Sequence, residues 1–186
     1  MKRTIIITAL FFIFIPVVYA QDDYKSHPGY VDFGSFGKFQ DTEKSTEVFV
    51  KGPLLKFVSQ AASLKDPDLA DLLNKLLIIK VNVFSLDKVS SSEALNILKN
   101  ISKKIDPDKW ELMVRKREPD EYVEVYTQFG KAGNLSGLVV MVVKDNDEAV
   151  FVNIAGDIDP SKLGKLSKKF NIPKLDALEI EAKSNN

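Results

Sequence analysis

The stretch "LVVMVV", Leu138 to Val143, is apolar at each of its six positions. A strand with one face in water alternates apolar and polar residues. An apolar run without alternation marks a strand covered on both sides, at the centre of a sheet. This stretch therefore predicts a central strand covered on both of its faces. The segments around it supply the neighbouring strands. "WELMVRKR" and "EYVEVYTQF" flank the turn Glu118-Pro119-Asp120, and "LSGLVVMVVK" and "EAVFVNIAG" flank Asp145-Asn146-Asp147. Four strands in succession as a meander are predicted from Trp110 onward.

The first half of the domain reads differently. "TEVFVKG" (46–52) is a strand, with Val48 and Val50 on one side and Phe49 on the other. Gly52-Pro53 opens a helix, since proline is best tolerated in a first turn. Its stripe is Leu54, Leu55, Val58, Ala61 and Ala62. Asp66-Pro67 starts a second helix, striped by Leu69, Leu72, Leu73, Leu76 and Leu77, after a break near Lys65. "LIIKVNVFSLD" (77–87) alternates as a half-buried strand. Ser90 with Glu93 matches a capping box for a third helix striped by Ala94, Ile97, Leu98, Ile101 and Ile105, which ends before Asp106-Pro107. Asp159-Pro160 starts a short last helix with Leu163, Leu166 and Phe170 on one side. The order β-αα-β-α-β-β-β-β-α predicts an α+β fold, a mostly antiparallel sheet of about six strands with helices packed mainly on one face.

The chain has 186 residues. Lys2 and Arg3 precede an apolar run, Ile5 to Val18, that ends in Val18-Tyr19-Ala20. This reads as a secretory signal cleaved after Ala20, so that the mature chain starts at Gln21 and is periplasmic or extracellular. An uncleaved N-terminal anchor is the other reading, although Pro16 interrupts the run and it is shorter than the ~20 residues of a membrane span. Residues 21–45 form an aromatic, glycine-containing leader, 46–172 a single domain and 173–186 a loose tail. Without Lys2 and Arg3 the chain has 24 basic against 26 acidic residues. Such a balance gives no electrostatic case for nucleic acid. No cysteine is present, which removes disulfides, thiolate nucleophiles and Cys-ligated metals.

Three stretches, "HPGYVDFG" (27–34), "VKGPLLKFVSQAA" (50–62) and "GLVVMVVKDNDEAVFVNIAGDIDPSKLGKL" (137–166), together resemble a bacterial family, domain of unknown function 4252. The resemblance implies an exported or lipid-anchored envelope protein, and the missing cysteine after the signal argues against the anchored form. It implies no activity and no catalytic residue.

The residues themselves offer few constellations for chemistry. Asp157 and Asp159 read as helix-start residues, because an Asp before Pro accepts from the free N–H groups of a first turn; Gly156 supplies the exit from the strand. "KDNDEA" (144–149) lacks the Gly and Glu of a calcium loop and reads as a hairpin turn. His27 is the single histidine, too little for zinc or a Ser–His pair. No glycine pattern cradles a phosphate. Asn100-Ile101-Ser102 and Asn134-Leu135-Ser136 match the glycosylation sequon, which matters only in a eukaryotic secretory route. Arg115-Lys116-Arg117 reads as a solvated strand end. No metal or cofactor is implied.

The sheet nevertheless carries a functional hint. Branched aliphatics mark its helix side: Val48/Val50, Ile79/Val81/Val83, Leu112/Val114, Val123/Val125 and Val150/Val152/Ile154. The reverse then carries Phe49, Phe84, Met113, Tyr122, Tyr126 and Phe151, among Lys80, Asn82, Glu124 and Asn153. A semi-apolar face of that size does not stay naked in water. Either the aromatic leader 30–39 folds over it, or the face, or a crevice under the leader, binds a partner. The leading expectation is a non-catalytic binding or assembly module of the cell envelope. Its partner is an envelope protein or a hydrophobic ligand, with no transmembrane span after signal removal. The alternatives are a carrier of lipid or a carboxylate hydrolase that uses Asp32, Asp87 and Asp157.

Overall fold

The structure, a computed structural model, describes residues 23–37, 39, 44–130 and 133–170. The predicted signal segment (1–20) and the predicted loose tail (173–186) lie outside these. Six strands form one antiparallel sheet in the order β1-β2-β6-β5-β4-β3, as the α+β reading predicts. They are β1 (Ser45–Lys51), β2 (Leu76–Ser85), β3 (Glu111–Arg117), β4 (Glu121–Phe129), β5 (Leu135–Lys144) and β6 (Glu148–Ile158). Four α-helices are described: α1 (Gly52–Ala62), α2 (Pro67–Lys75), α3 (Lys88–Lys104) and α4 (Leu163–Phe170). β5 and β6 take the centre, and Leu138 to Val143 are buried on both sides.

Local chemistry places the helix starts. Pro67 opens α2 behind Asp66, whose carboxylate accepts from the Leu69 N–H at 3.1 Å. The cap of α3 is Asp87, not Ser90. Asp87 Oδ1 accepts from the Ser90 N–H at 2.8 Å, and Ser90 Oγ accepts from the Asp87 N–H at 2.8 Å. This is a reciprocal box one turn earlier than the predicted Ser90–Glu93 pair, with the hydroxyl in the returning role.

The two faces separate as the side-chain alternation requires. One face holds Val50, Ile79, Val81, Val123, Val125, Val140, Val142, Val150, Val152 and Ile154, closed by Leu55 of α1, Leu69, Leu72 and Leu73 of α2, and Leu163 and Leu166 of α4. The other holds Phe84, Tyr126, Val139, Met141, Val143 and Phe151. It is closed by Ala94, Leu98 and Ile101 of α3, by Ile105 just after that helix, and by Phe33, Phe36 and Phe39 of the leader. Three helices thus share the aliphatic side and α3 alone takes the ring side. That helix also makes the long crossing of the sheet. β2 and β3 lie four strand positions apart, roughly 19 Å, and the 17-residue α3, about 25 Å long, carries the chain across that span.

Two sequence-level assignments change. An irregularity between Leu112 and Val114 shifts the β3 register, so that Leu112 pairs with Tyr126 and Val114 with Val125. Neighbouring residues of β4 face opposite ways, so Leu112 and Val114 do not share the aliphatic face. Gly156 is no strand exit: β6 continues to Ile158. Gly156 has φ +145°, and a Cβ there would meet the Lys75 carbonyl oxygen at 2.6 Å, where the α2–β2 junction crosses β6.

Candidate functional site

The leader is pinned to the sheet by one buried side chain. Asn153 is fully buried on the ring side of β6. Its Oδ1 accepts from the Val31 N–H at 3.0 Å, and its Nδ2 donates to the carbonyls of Gly29 at 3.0 Å and Leu138 at 3.2 Å. One carboxamide therefore satisfies both a donor and an acceptor of the leader backbone, as a neighbouring strand would. Close backbone approach reinforces it: a Cβ on Gly137 would lie 2.5 Å from the Gly29 Cα and 2.6 Å from the Trp110 ring. Both positions must be glycine for the leader to touch β5.

Beyond that anchor the leader contributes rings. Phe36 stands 5.0 Å from Phe84 and 5.0 Å from Phe151, centroid to centroid, and Phe39 is 5.5 Å from Phe84. These are ordinary aromatic packing distances. Of the six ring-face residues singled out in the sequence, Phe84, Tyr126 and Phe151 are thus roofed core. Phe49 is 41% exposed at the β1 edge, against Tyr24, and Met113 is 50% exposed on the β3 edge. Tyr122 is half-buried and lines a shallow crevice of about 210 Å³ with Ser91, Leu95, Pro119 and Asp145.

A polar cluster ties α3 to this face. Glu124 is buried, accepts from the Ser102 hydroxyl, from the Arg115 Nε–H at 2.9 Å and from the Tyr126 hydroxyl at 2.9 Å. Burial pushes its carboxyl up, but the Ser102 and Tyr126 hydrogen bonds and the Arg115 charge outweigh it, leaving the acid below its ordinary range. Lys116 bonds Glu121 at 2.5 Å and pairs with Glu118 at 2.9 Å. All three residues of the basic run read as a solvated strand end are therefore engaged in pairs, Arg117 with Glu124 at 3.6 Å.

A larger crevice, about 490 Å³, opens where the leader starts. Its walls are His27 and Pro28 from the leader, Gln128, Phe129 and Gly130 from the end of β4, Asn134, Leu135 and Ser136 at the start of β5, and Gly156 and Asp157 of β6. Phe129 is 50% exposed at its wall. Asn134 Nδ2 donates to Asp157 Oδ1 at 2.6 Å, and Ser136 Oγ donates to Gln128 Oε1 at 3.1 Å. His27 Nδ1 accepts from the Gly29 N–H at 3.2 Å, which leaves Nε2 as the protonated nitrogen of the neutral ring. Partial burial pushes the His27 pKa down, favouring that neutral form. The crevice thus presents a neutral imidazole, two carboxamides, a hydroxyl and one carboxylate beside Pro28, Leu135 and Phe129.

The two aspartates have separate fates. Asp159 caps the 3-10 turn Pro160–Lys162, its Oδ1 accepting from the Ser161 N–H at 3.0 Å and the Ser161 hydroxyl at 2.7 Å. The Ser161 bonds lower its pKa. Asp157 is no cap; it belongs to β6 and to the crevice. The three carboxylates of the hydrolase alternative are not gathered. Asp87 follows Leu86, which bonds Asp147 at the Glu148 end of β6, whereas Asp157 lies nine residues along that strand, about 30 Å away. Asp32 serves its own loop, accepting from the Gly34 N–H at 2.9 Å. Among the described residues no cluster of His, Asp and Glu is arranged to hold a metal, and no helix is long and apolar enough to cross a membrane.

Sequence reasoning set His27 aside and read Asn134 only as a sequon. The available signal was His-Pro-Gly, whose glycine has to meet another glycine in β5. The comparisons with curated proteins and with solved structures found no match. The family model described as "Domain of unknown function (DUF4252)" matches residues 39–166, from the last ring of the leader to the last core leucine of α4. The chain belongs to the DUF4252 family.

Proposed function

We propose that the chain is an exported, non-catalytic binding module of the cell envelope, and that it binds its ligand in the crevice beside the leader. The basic and apolar N-terminal pattern supports export. The observation that carries the binding reading is the convergence of His27, Gln128, Asn134 and Asp157 on an open crevice of about 490 Å³ whose apolar part is Pro28, Phe129 and Leu135. A few directed polar groups in a partly apolar concavity suit a ligand with an apolar body and a hydrogen-bonding head. The Asp157 carboxylate and the Asn134 carboxamide meet the head, and the Phe129 ring meets the body. The buried Phe84, Tyr126 and Phe151 act beneath, as the floor that holds the leader in place.

Native mass spectrometry of the chain isolated from its own envelope tests this. The wild type is expected to carry an added mass that Phe129→Ala and Asp157→Asn both lose while keeping the wild-type melting temperature, since both side chains are exposed. A wild type with no added mass, or variants that retain it, would overturn the reading.

A further inference from the structure

We propose that the outer face of α1 docks onto the surface of an anionic lipid bilayer. α1 is apolar on both sides. Its inner side packs Leu55 and Ser59, both buried, with Val58 and Ala62 against the aliphatic core. On its outer side Leu54 is 50% exposed, Phe57 68%, and Leu64, in the turn that follows, 94%; Ala61 between them is exposed as well. The spacing three, four, three sets these residues in one line on the helix surface. A surface helix of a soluble domain presents charge outward, and one that is apolar all round is normally covered. The other helices follow that rule with Asp68 and Asp71 on α2, Lys103 and Lys104 on α3, and Lys168 and Lys169 on α4.

The charge of the layer selects the occupant. No acidic residue occurs between Val48 and Lys65. Residues 52–75 and 160–170 hold seven lysines against three aspartates, a net of +4 in a chain whose totals balance at 26 each. The aspartates are already committed: Asp66 to Lys165 at 2.7 Å, Asp71 to Lys162 at 2.9 Å and Lys75 at 3.1 Å, and Asp68 to Lys165 at 3.1 Å. Lys56, Lys65, Lys168 and Lys169 have no acidic partner among the described residues. An apolar stripe of Leu and Phe flanked by lysines inserts its side chains at the acyl boundary and sets its ammonium groups among negative headgroups. A second copy would oppose this basic layer with an identical one, and like charges disfavour that contact.

The absence of cysteine makes the test local. The full chain with Leu64→Cys, labelled with an environment-sensitive fluorophore, is mixed with vesicles of phosphatidylglycerol and phosphatidylethanolamine and, separately, of phosphatidylcholine. Emission is expected to shift blue and rise several-fold with the anionic vesicles only, and to fall back at high salt. Adding Phe57→Ser, or Lys56→Glu with Lys65→Glu, is expected to abolish the rise. The same label at Lys103→Cys, exposed on the opposite side, is expected to stay unchanged. Three results would overturn the proposal: no change at position 64, an equal change at position 103, or a rise with protein concentration alone, which would mark a second copy.

Discussion

The two faces of the sheet are closed by different means. On the aliphatic side three helices interlock with branched side chains, and the contact is broad and directionless. On the ring side one helix does part of the work and an extended leader does the rest, held by Asn153, two facing glycines and three phenylalanines. Burial on the first side is spread over many residues, so no single contact decides its position. On the second side a few specific contacts fix a segment with no strand pairing of its own. The contrast points to the leader as the cover that opens more readily than the helices, and the crevice lies where that leader starts, with His27 and Pro28 against the strand ends.

Substitutions break or sharpen that comparison. The largest effect is expected from Ile154→Ala, fully buried among the aliphatics, which should cost about 2–5 kcal/mol of global stability in urea unfolding. A loss below ~1 kcal/mol would mean that the aliphatic side is not the foundation of the fold. Asn82→Leu should act in the opposite direction. Asn82 is fully buried on the ring side, and its amide has no hydrogen-bond partner among the described residues. Removing the unpaired amide while keeping its branched shape should raise stability by roughly 1 kcal/mol. A destabilised variant would place a structural partner on that amide.

The smallest effect concerns pH. His27 has a folded pKa below its ordinary value, so the unfolded chain takes up its proton first as pH falls. Stability from this group is full above about pH 6.5 and declines below it. Protonation of Nδ1 also cancels the bond from the Gly29 N–H, beside the leader's anchor. His27→Gln should flatten the pH dependence of unfolding between about pH 7 and 5. An unchanged slope would assign that dependence to other groups.

Much of this architecture was legible because strands write their faces into the sequence. The alternation in β2 and β6 placed Ile79, Val81, Val150 and Val152 on one side and Phe84 and Phe151 on the other, as the two cores show. The helices were equally legible as stripes. A stripe says only that a helix has a buried side, however, and not which sheet face receives it, so the placing of α3 on the ring side was not legible. The irregularity at Met113 breaks the alternation without any glycine or proline to announce it. The crevice was invisible for a similar reason. Its residues come from four separated segments, 27–28, 128–130, 134–136 and 156–157, and each reads locally as a strand end or a turn. Asp157 and Asp159 look alike in sequence, and only the length of β6 separates the crevice residue from the cap.

Amide hydrogen exchange tests the central claim, that the leader is a cover separable from the sheet it roofs. The Val31 amide, bonded to Asn153, is compared with the Val140 amide of β5, in the wild type and in Asn153→Ala. The account expects Val31 to exchange through an opening of lower free energy than Val140, and expects the substitution to erase protection at Val31 while the difference between β5 and the other central strands stays as it was. Val31 exchanging in step with Val140 in both proteins would contradict it, because leader and sheet would then open only together.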